Sequence, residues 1–227
     1  INKSKNRPTY LLGGHGPSPE PEFFLQKTKA DIVVIGEGEE TIKELMDALA
    51  NKKSLEELKG IAYRQGDRVV VNQRRPLIKD VDSILRPAWH LFPINYYRLI
   101  RIGPHSQKTD FLMPVLSGRG CTFECNFCYR MDTGFRPRSN EAIIEEIEIL
   151  KKDYRINYID FLDELLMTSV SRTVSLCESF LKAKLNVKWK CNGRLNYAKK
   201  EVLQLMKKSG CTFVNYGIES MDDTVLK

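Results

Sequence analysis

Short apolar runs and amphipathic stretches alternate along the first part of the chain. The apolar runs predict strands at residues 10–12, 31–35, 60–64 and 68–72. The last two runs flank a glycine-centred turn, which predicts a hairpin. Ile42, Leu45, Met46 and Leu49 recur at the spacing of one helix face. This order of elements predicts that residues 1–75 form the C-terminal part of a doubly wound α/β domain.

From residue 111 onward, the pattern becomes a regular alternation of strands and helices. Strands are predicted at residues 112–116, 156–162, 187–191 and 211–218. Helices are predicted at residues 141–152, 170–182 and 201–209, with one more starting at residue 221. The second of these helices carries its predicted apolar stripe on Val170, Val174, Cys177 and Leu181. The alternation predicts parallel strands, so residues 111–227 are interpreted as a partial, TIM-like (β/α) barrel, truncated at its C-terminus.

Proline interrupts the pattern between these two regions. Residues 76–110 contain four prolines and show no clean periodicity. We interpret this stretch as a linker, with one short helix near residues 81–85.

Composition and charge narrow the class of protein. The hydrophobic fraction of 42% is that of a globular chain, and the net charge of +7 is spread over short clusters rather than gathered on one aromatic-rich face. We therefore expect no nucleic-acid partner. The longest apolar run is far shorter than the roughly 20 residues that span a bilayer, so no membrane span or signal peptide is predicted. Because the chain starts at Ile1, we expect the natural N-terminus to lie upstream.

The six cysteines fall into two groups. Three lie within eight residues, whereas Cys177, Cys191 and Cys211 lie in separate apolar-periodic segments. This division favours one metal site and three buried, unbridged thiols. It also favours a reducing compartment, and hence a cytoplasmic protein.

The clustered cysteines carry the most specific chemistry. Cys121, Cys125 and Cys128 form a C-x3-C-x2-C motif after the first predicted barrel strand, with the aromatic Phe127 before the last cysteine. A structural zinc site needs four ligands and an iron–sulfur cluster usually takes four cysteines, so three thiolates leave one iron with an open position. An open position indicates a catalytic metal site. A zinc knuckle with a distant fourth ligand, or three unrelated core thiols, are the alternatives.

Polar residues follow the other predicted barrel strands. The carboxyl ends of such strands carry the active sites of (β/α) barrels. On the third strand Lys190, Asn192 and Arg194 share one parity, so we expect them to face the barrel lumen. The candidates at the ends of the second, third and fourth strands are Asp163, Glu164, Asn192, Arg194, Glu219 and Ser220.

The cysteine motif resembles the signature of the radical S-adenosylmethionine (SAM) superfamily, C-x3-C-x-aromatic-C. The resemblance implies a [4Fe–4S] cluster whose open iron is chelated by SAM, and reductive cleavage of SAM to a 5′-deoxyadenosyl radical. It implies that Asp163 and Glu164 hold the SAM amino group, that Arg194 beside Asn192 meets the SAM carboxylate, and that Glu219 reaches the ribose. The sequence Gly-Ile-Glu-Ser at 217–220 resembles that of the family at the same place. The cofactor-binding residues so implied are Phe127, Asp163, Glu164, Asn192, Arg194, Glu219 and Ser220.

The first region resembles the C-terminal part of the cobalamin-binding domain that precedes many radical SAM barrels. The resemblance rests on Gly13-Gly14-His15 and on the strand that leads into Gly36-Glu37-Gly38-Glu39 and a helix. The group includes B12-dependent radical methyltransferases and the anaerobic magnesium-protoporphyrin monomethyl ester cyclase. It implies cobalamin as a third cofactor, with Gly13, Gly14, Gly36 and Gly38 in its binding, because glycine permits close backbone approach.

The resemblance implies methyl transfer or oxidative cyclisation of an unknown small-molecule or peptide substrate, with a flavodoxin or ferredoxin as electron donor. A radical SAM enzyme without B12, whose first domain only docks, is the alternative within chemistry. A non-enzymatic iron–sulfur or zinc-binding module is the alternative outside it. Because the early strands of one domain and the late strands of the other are missing from the pattern, we expect a fragment that is marginally stable and inactive by itself.

Overall fold

The chain folds into two compact units, Ile1–Lys79 and Asp80–Lys227. A computed structural model describes residues 7–100, 106–129 and 134–225. The boundary divides the stretch interpreted as a linker, residues 76–110, and leaves most of it in the second unit. No helix in the described parts of the chain is both long and apolar enough to cross a membrane.

The first unit is a four-stranded sheet with a helix on each face. Its elements are β1 (Leu11–Leu12), α1 (Pro21–Lys27), β2 (Ile32–Val34), α2 (Glu39–Ala50), β3 (Ile61–Gln65) and β4 (Arg68–Val71). The strands lie in the order β1-β2-β3-β4, with β1 and β2 parallel and the other two pairings antiparallel. The predicted hairpin is confirmed, and Gly66 occupies its turn at φ 62°. The sheet is therefore mixed, and the doubly wound parallel pattern is limited to β1 and β2.

The buried face of α2 differs from the predicted one. Leu45 and Ala48 pack into the core with β2 and β3, whereas Ile42 and Met46 are 38% and 53% exposed. Thr41 shares the buried face, and its hydroxyl accepts a hydrogen bond from Arg75 Nε at 3.0 Å. The helix is thus rotated relative to the prediction, because this hydrogen bond and the small Ala48 fix the side that lies on the sheet.

The second unit contains a parallel sheet covered by three helices. A separate two-stranded hairpin lies between the first strand of this sheet and the first of these helices in the chain. The elements of the unit are α3 (Ile94–Ile100), β5 (Leu112–Val115), β6 (Gly118–Cys121), β7 (Gly134–Pro137), α4 (Asn140–Tyr154), β8 (Tyr158–Phe161), α5 (Val170–Lys182), β9 (Lys188–Gly193), α6 (Lys200–Lys208) and β10 (Cys211–Tyr216). The sheet order is β10-β9-β8-β5, and all its strands are parallel, as predicted. The antiparallel hairpin β6–β7 was not predicted.

Local signals set the ends of these helices. Ser139 and Ser169 cap α4 and α5, since their hydroxyls accept hydrogen bonds from the backbone amides of Ala142 and Arg172 at 3.1 and 3.2 Å. After α6, Gly210 lies at φ 104°, where glycine is favoured. Because each signal lies in the sequence, the three predicted barrel helices are confirmed within two residues at their ends.

Three sequence expectations for the second unit differ from the structure. Helix α3 was not predicted, although the short helix predicted near residues 81–85 is present as a 3-10 turn at Val81–Ser83. The predicted helix from residue 221 is wrong for the described residues, which form a turn up to residue 225. The stripe of α5 is also rotated: the buried residues are Thr173, Leu176, Cys177 and Phe180, because Phe180 packs edge-on against Trp189 of β9.

Candidate functional site

The cysteine motif begins in the hairpin β6–β7. Cys121 is the last residue of β6 and pairs with Gly134 of β7. A Cβ at Gly120, which has φ 81°, would overlap the backbone of Gly134. Glycine here lets the two strands of this hairpin, which follows β5 in the chain, approach closely.

The three motif cysteines lie on one loop as free thiols. Cys121 and Cys125 are half-buried and Cys128 is exposed. The Cys128 amide donates to the Cys125 carbonyl at 3.2 Å, which turns the loop between them. This donor set, three thiols within eight residues and none in a disulfide, suits an iron–sulfur cluster held by three cysteines.

The motif side chains are not arranged around a common metal position. Within the described residues, no three His, Cys, Asp or Glu side chains are arranged to hold a metal ion. A cluster shared by the three thiolates would need their sulfur atoms to lie close to one point. The sulfur atoms have other neighbours: Cys125 Sγ lies 3.8 Å from Arg194 Nη1, and Cys128 Sγ lies 3.7 Å from the carbonyl of Tyr129.

Arg194 joins the end of β9 to the cysteine loop. Its guanidinium carbon lies 3.8 Å from the ring centroid of Phe123, a cation–π contact, and the same group reaches Cys125. Phe123 in turn lies 6.2 Å from the ring of Tyr197. The structure thus brings one sequence-predicted residue, Arg194, onto the cysteine motif, where it contacts Cys125 and Phe123 directly. The sequence did not single out Phe123 or Tyr197.

Asp163 and Glu164 follow β8 but differ in environment. The Asp163 carboxylate is buried and accepts hydrogen bonds from the Ser117 amide at 2.9 Å and from the Ser117 hydroxyl at 2.7 Å. Burial raises the pKa of Asp163, while the bonds from Ser117 lower it. Asn192 donates to the Asp163 carbonyl at 2.9 Å. Glu164 is exposed, so it alone of the acidic pair presents its carboxylate to solvent.

The remaining predicted SAM-binding residues lie outside these contacts. Glu219, at φ 60°, is exposed beyond β10, and Ser220 hydrogen-bonds locally to Asp222 at 3.0 Å. Phe127 is 69% exposed. In the described parts of the chain, no hydrogen bond joins these three residues to a motif cysteine. Glu219 and Ser220 follow β10, and Phe127 lies between β6 and β7 in the chain.

Lys190 and Cys191 lie on opposite sides of β9. Trp189 and Cys191 are buried against the helices, whereas Lys190 is half-buried on the other side and pairs with Asp160 at 2.9 Å. Cys177 is also buried, and burial raises its pKa to about 11. All three cysteines outside the motif are free thiols as predicted, although Cys211 on the outer strand is only half-buried.

The four glycines that the resemblance assigns to cobalamin lie after two adjacent parallel strands. Gly13 and Gly14 follow β1, whereas Gly36 and Gly38 follow β2, so both turns lie at one edge of the sheet. The Gly36 amide donates to the buried Ser18 hydroxyl at 3.1 Å. Helix α2 starts with two glutamates in its first turn, which disfavour an anionic group at its N-terminus.

The second unit is a parallel sheet whose strands alternate with helices, and its three motif cysteines follow the first of these strands. In (β/α) folds the active site lies at the carboxyl ends of the strands, so this is the architecture of a catalytic (β/α) domain. The family model "Radical SAM superfamily" matches residues 115–227. Through its second unit, the chain belongs to the radical SAM superfamily, and its relatives include a methyltransferase and a cyclase.

Two relatives illustrate the similarity in sequence. The chain is 32% identical over 232 residues to an uncharacterized methyltransferase of Pyrococcus horikoshii, covering 100% of this chain and 49% of that protein. It is 30% identical over 220 residues to the anaerobic magnesium-protoporphyrin IX monomethyl ester cyclase of Cereibacter sphaeroides, covering 92% of this chain and 35% of the cyclase. The chain thus spans about half or less of these relatives' length.

Two solved structures share the fold. The cobalamin-dependent SAM radical enzyme OxsB, with aqua-cobalamin and SAM bound, superposes with a TM-score of 0.75 at 21% identity, over 96% of this chain and 32% of OxsB. The radical SAM methyltransferase TsrM from Kitasatospora setae, with tryptophan and a SAM analogue bound, gives 0.75 at 19% identity, over 95% of this chain and 42% of TsrM. At such identities the likeness is one of fold.

Proposed function

We propose that the chain is the cluster-bearing part of an enzyme that cleaves SAM reductively to a 5′-deoxyadenosyl radical. The observation that carries the proposal is the C-x3-C-x2-C motif, with its three free thiols, at the carboxyl edge of a parallel sheet. A bound [4Fe–4S] cluster would supply the electron for this cleavage. Cys121, Cys125 and Cys128 would hold it.

The surrounding side chains would bind and orient SAM. The exposed Glu164 carboxylate suits the SAM amino group, since Asp163 is already occupied by Ser117. Arg194, held beside Cys125 by Phe123, suits the SAM carboxylate. Glu219 is assigned to the ribose. Additional contacts to SAM are assigned to Phe127, Asn192 and Ser220.

We further propose cobalamin as a cofactor of the first unit. Two glycine turns side by side at the end of parallel strands, Gly13–Gly14 and Gly36–Gly38, support this assignment, as do the cobalamin-dependent relatives of known structure. The chemistry would then be methyl transfer or oxidative cyclisation. The alternative is a first unit that only docks, and the acidic start of α2 together with the Ser18–Gly36 bond favours it.

The proposed partners follow from this chemistry. A one-electron donor such as a flavodoxin or ferredoxin would reduce the cluster, and a small molecule or peptide would be the substrate. The free cysteines support a reducing, cytoplasmic setting.

Anaerobic reconstitution with iron and sulfide tests the proposed reaction. After reduction with dithionite in the presence of SAM, we expect the full-length protein to give 5′-deoxyadenosine, detected by mass spectrometry, both as the wild type and as Cys177→Ala, a variant at a cysteine outside the motif. Cys125→Ala should give none. Equal 5′-deoxyadenosine from Cys125→Ala would exclude the proposed cluster ligands.

A second experiment separates the two roles of the first unit. The protein is incubated with cobalamin and passed through gel filtration. A cobalamin spectrum in the protein fraction would support cofactor binding, and its absence would support a unit that only docks.

A further inference from the structure

Asp163 uses its whole carboxylate on a single partner. Both of its oxygens lie 2.9 Å from the Ser117 amide, and Oδ1 lies 2.7 Å from the Ser117 hydroxyl. Both residues are buried. Ser117 is the last residue before β6, the strand that ends in Cys121.

The same serine is held from its other side. Arg172 of α5 donates from Nη2 to the Ser117 carbonyl at 2.5 Å, and its guanidinium carbon lies 5.1 Å from the ring centroid of Phe135 in β7. That ring lies so close to Gly118 that a Cβ there would overlap it. Phe135 therefore lies between Gly118, the first residue of β6, and Arg172.

Charge explains why these groups belong together. A buried carboxylate is costly unless donors and a positive charge face it. Ser117 supplies the donors, and the Arg172 guanidinium interacts favourably with the Asp163 charge. The hydrogen-bond partner of Asp163 is thus Ser117, the residue from which the hairpin β6–β7 starts.

We propose that Asp163 is a positioning residue for the cysteine motif. By fixing Ser117, it sets the direction in which β6 leaves the sheet and so the place at which Cys121 is presented. The proposal rests on the proposed function, because it assumes that the motif cysteines hold the cluster. It assigns Asp163 a role other than contact with SAM, and leaves that contact to Glu164.

Four variants of the full chain separate the two roles. Asp163→Asn places an amide NH2 group where the Ser117 amide and hydroxyl also donate, so it cannot restore all the bonds. Ser117→Ala removes only the hydroxyl bond. Glu164→Gln removes the exposed carboxylate, and Ile147→Val removes one methylene group from the buried face of α4.

Two readouts are measured: hydrogen exchange of amides 117–121 before reconstitution, and iron retained per chain after reconstitution and gel filtration. For Asp163→Asn we expect exchange about tenfold faster, as the loss of charge-assisted hydrogen bonds would give, and iron retention reduced severalfold. Ser117→Ala should change both in the same direction by less. Glu164→Gln and Ile147→Val should leave both at the wild-type level.

The proposal would be overturned if Asp163→Asn kept the wild-type hydrogen-exchange rates at amides 117–121 and the wild-type iron content but bound SAM more weakly. Asp163 would then be a SAM ligand. If Asp163→Asn does not fold, Ser117→Ala decides by the same two readouts. If the wild type itself takes up no iron, the proposed function fails, whereas the exchange rates still decide whether Asp163 holds the hairpin.

Discussion

At the scale of single residues, the candidate site depends on which polar side chains are already bonded within the protein. Asp163 and Glu164 are adjacent acidic residues, and both were assigned to the SAM amino group. The structure separates them, because the first is buried on Ser117 and the second is exposed. Alternation along the strand could not reveal this, since the partner lies 46 residues away in the chain.

Arg194 gives a prediction at this scale. Replacing it by lysine keeps the positive charge but loses the planar group that lies on Phe123 and reaches Cys125. We expect the SAM dissociation constant of the reconstituted protein to rise about tenfold, because stacking and fork geometry are specific to arginine. Isothermal titration calorimetry measures it. The matched control is Arg155→Lys at the exposed end of α4, and an unchanged dissociation constant in Arg194→Lys would remove Arg194 from the SAM site.

At the scale of elements, the sequence predicted best where pattern and end signals agree. The strands of the parallel sheet and the helices α4, α5 and α6 were all predicted. The hairpin β6–β7 was missed, because GRGC and GFRP contain no alternation of apolar and polar residues. These strands pair because glycine permits close approach, which is a property of the backbone that hydrophobic periodicity does not detect.

The buried faces of α2 and α5 were predicted only in part. Each helix has more apolar residues than one face can hold, so periodicity leaves two rotations of similar quality. Packing chose between them: Thr41 bonds to Arg75 in the first unit, and Phe180 lies against Trp189 in the second. In each helix a threonine, Thr41 or Thr173, lies on the buried face, and a pattern of apolar residues alone omits it.

Gly210 gives a prediction for the turn between α6 and β10. It lies at φ 104°, and a Cβ there would overlap the carbonyl oxygen of Val187. We expect Gly210→Ala to lower the free energy of unfolding by about 3 kcal/mol, since conformational strain and a backbone clash add. Gly134→Ala is the control, because φ is 79° there and nothing lies within 4 Å of the added Cβ.

Urea unfolding followed by circular dichroism measures both glycine variants. In the control Gly134→Ala, the free energy of unfolding should fall by about 1 kcal/mol, because only the left-handed backbone conformation disfavours alanine there. Equal losses in the two variants would mean that the turn moves to accept the methyl group, and that close packing of Gly210 on β9 is unimportant.

At the scale of the whole molecule, the two units differ in how well their class was predicted. In the second unit, the parallel direction of strands β5, β8, β9 and β10 was predicted from the βα alternation, and the superfamily match lies in this unit. The first unit is a mixed sheet in which only β1 and β2 are parallel. Its assignment to cobalamin depends on resemblance and on two glycine turns, because no side chain in the pattern identifies the ligand.

The central claim is that Cys121, Cys125 and Cys128 hold a cluster whose open iron binds SAM. Electron paramagnetic resonance of the reconstituted, dithionite-reduced chain, recorded with and without SAM, tests it most directly. We predict the signal of a reduced [4Fe–4S] cluster that shifts when SAM is added, and no such signal from Cys125→Ala. A wild-type signal that SAM leaves unchanged, or one that persists in Cys125→Ala, would contradict the claim.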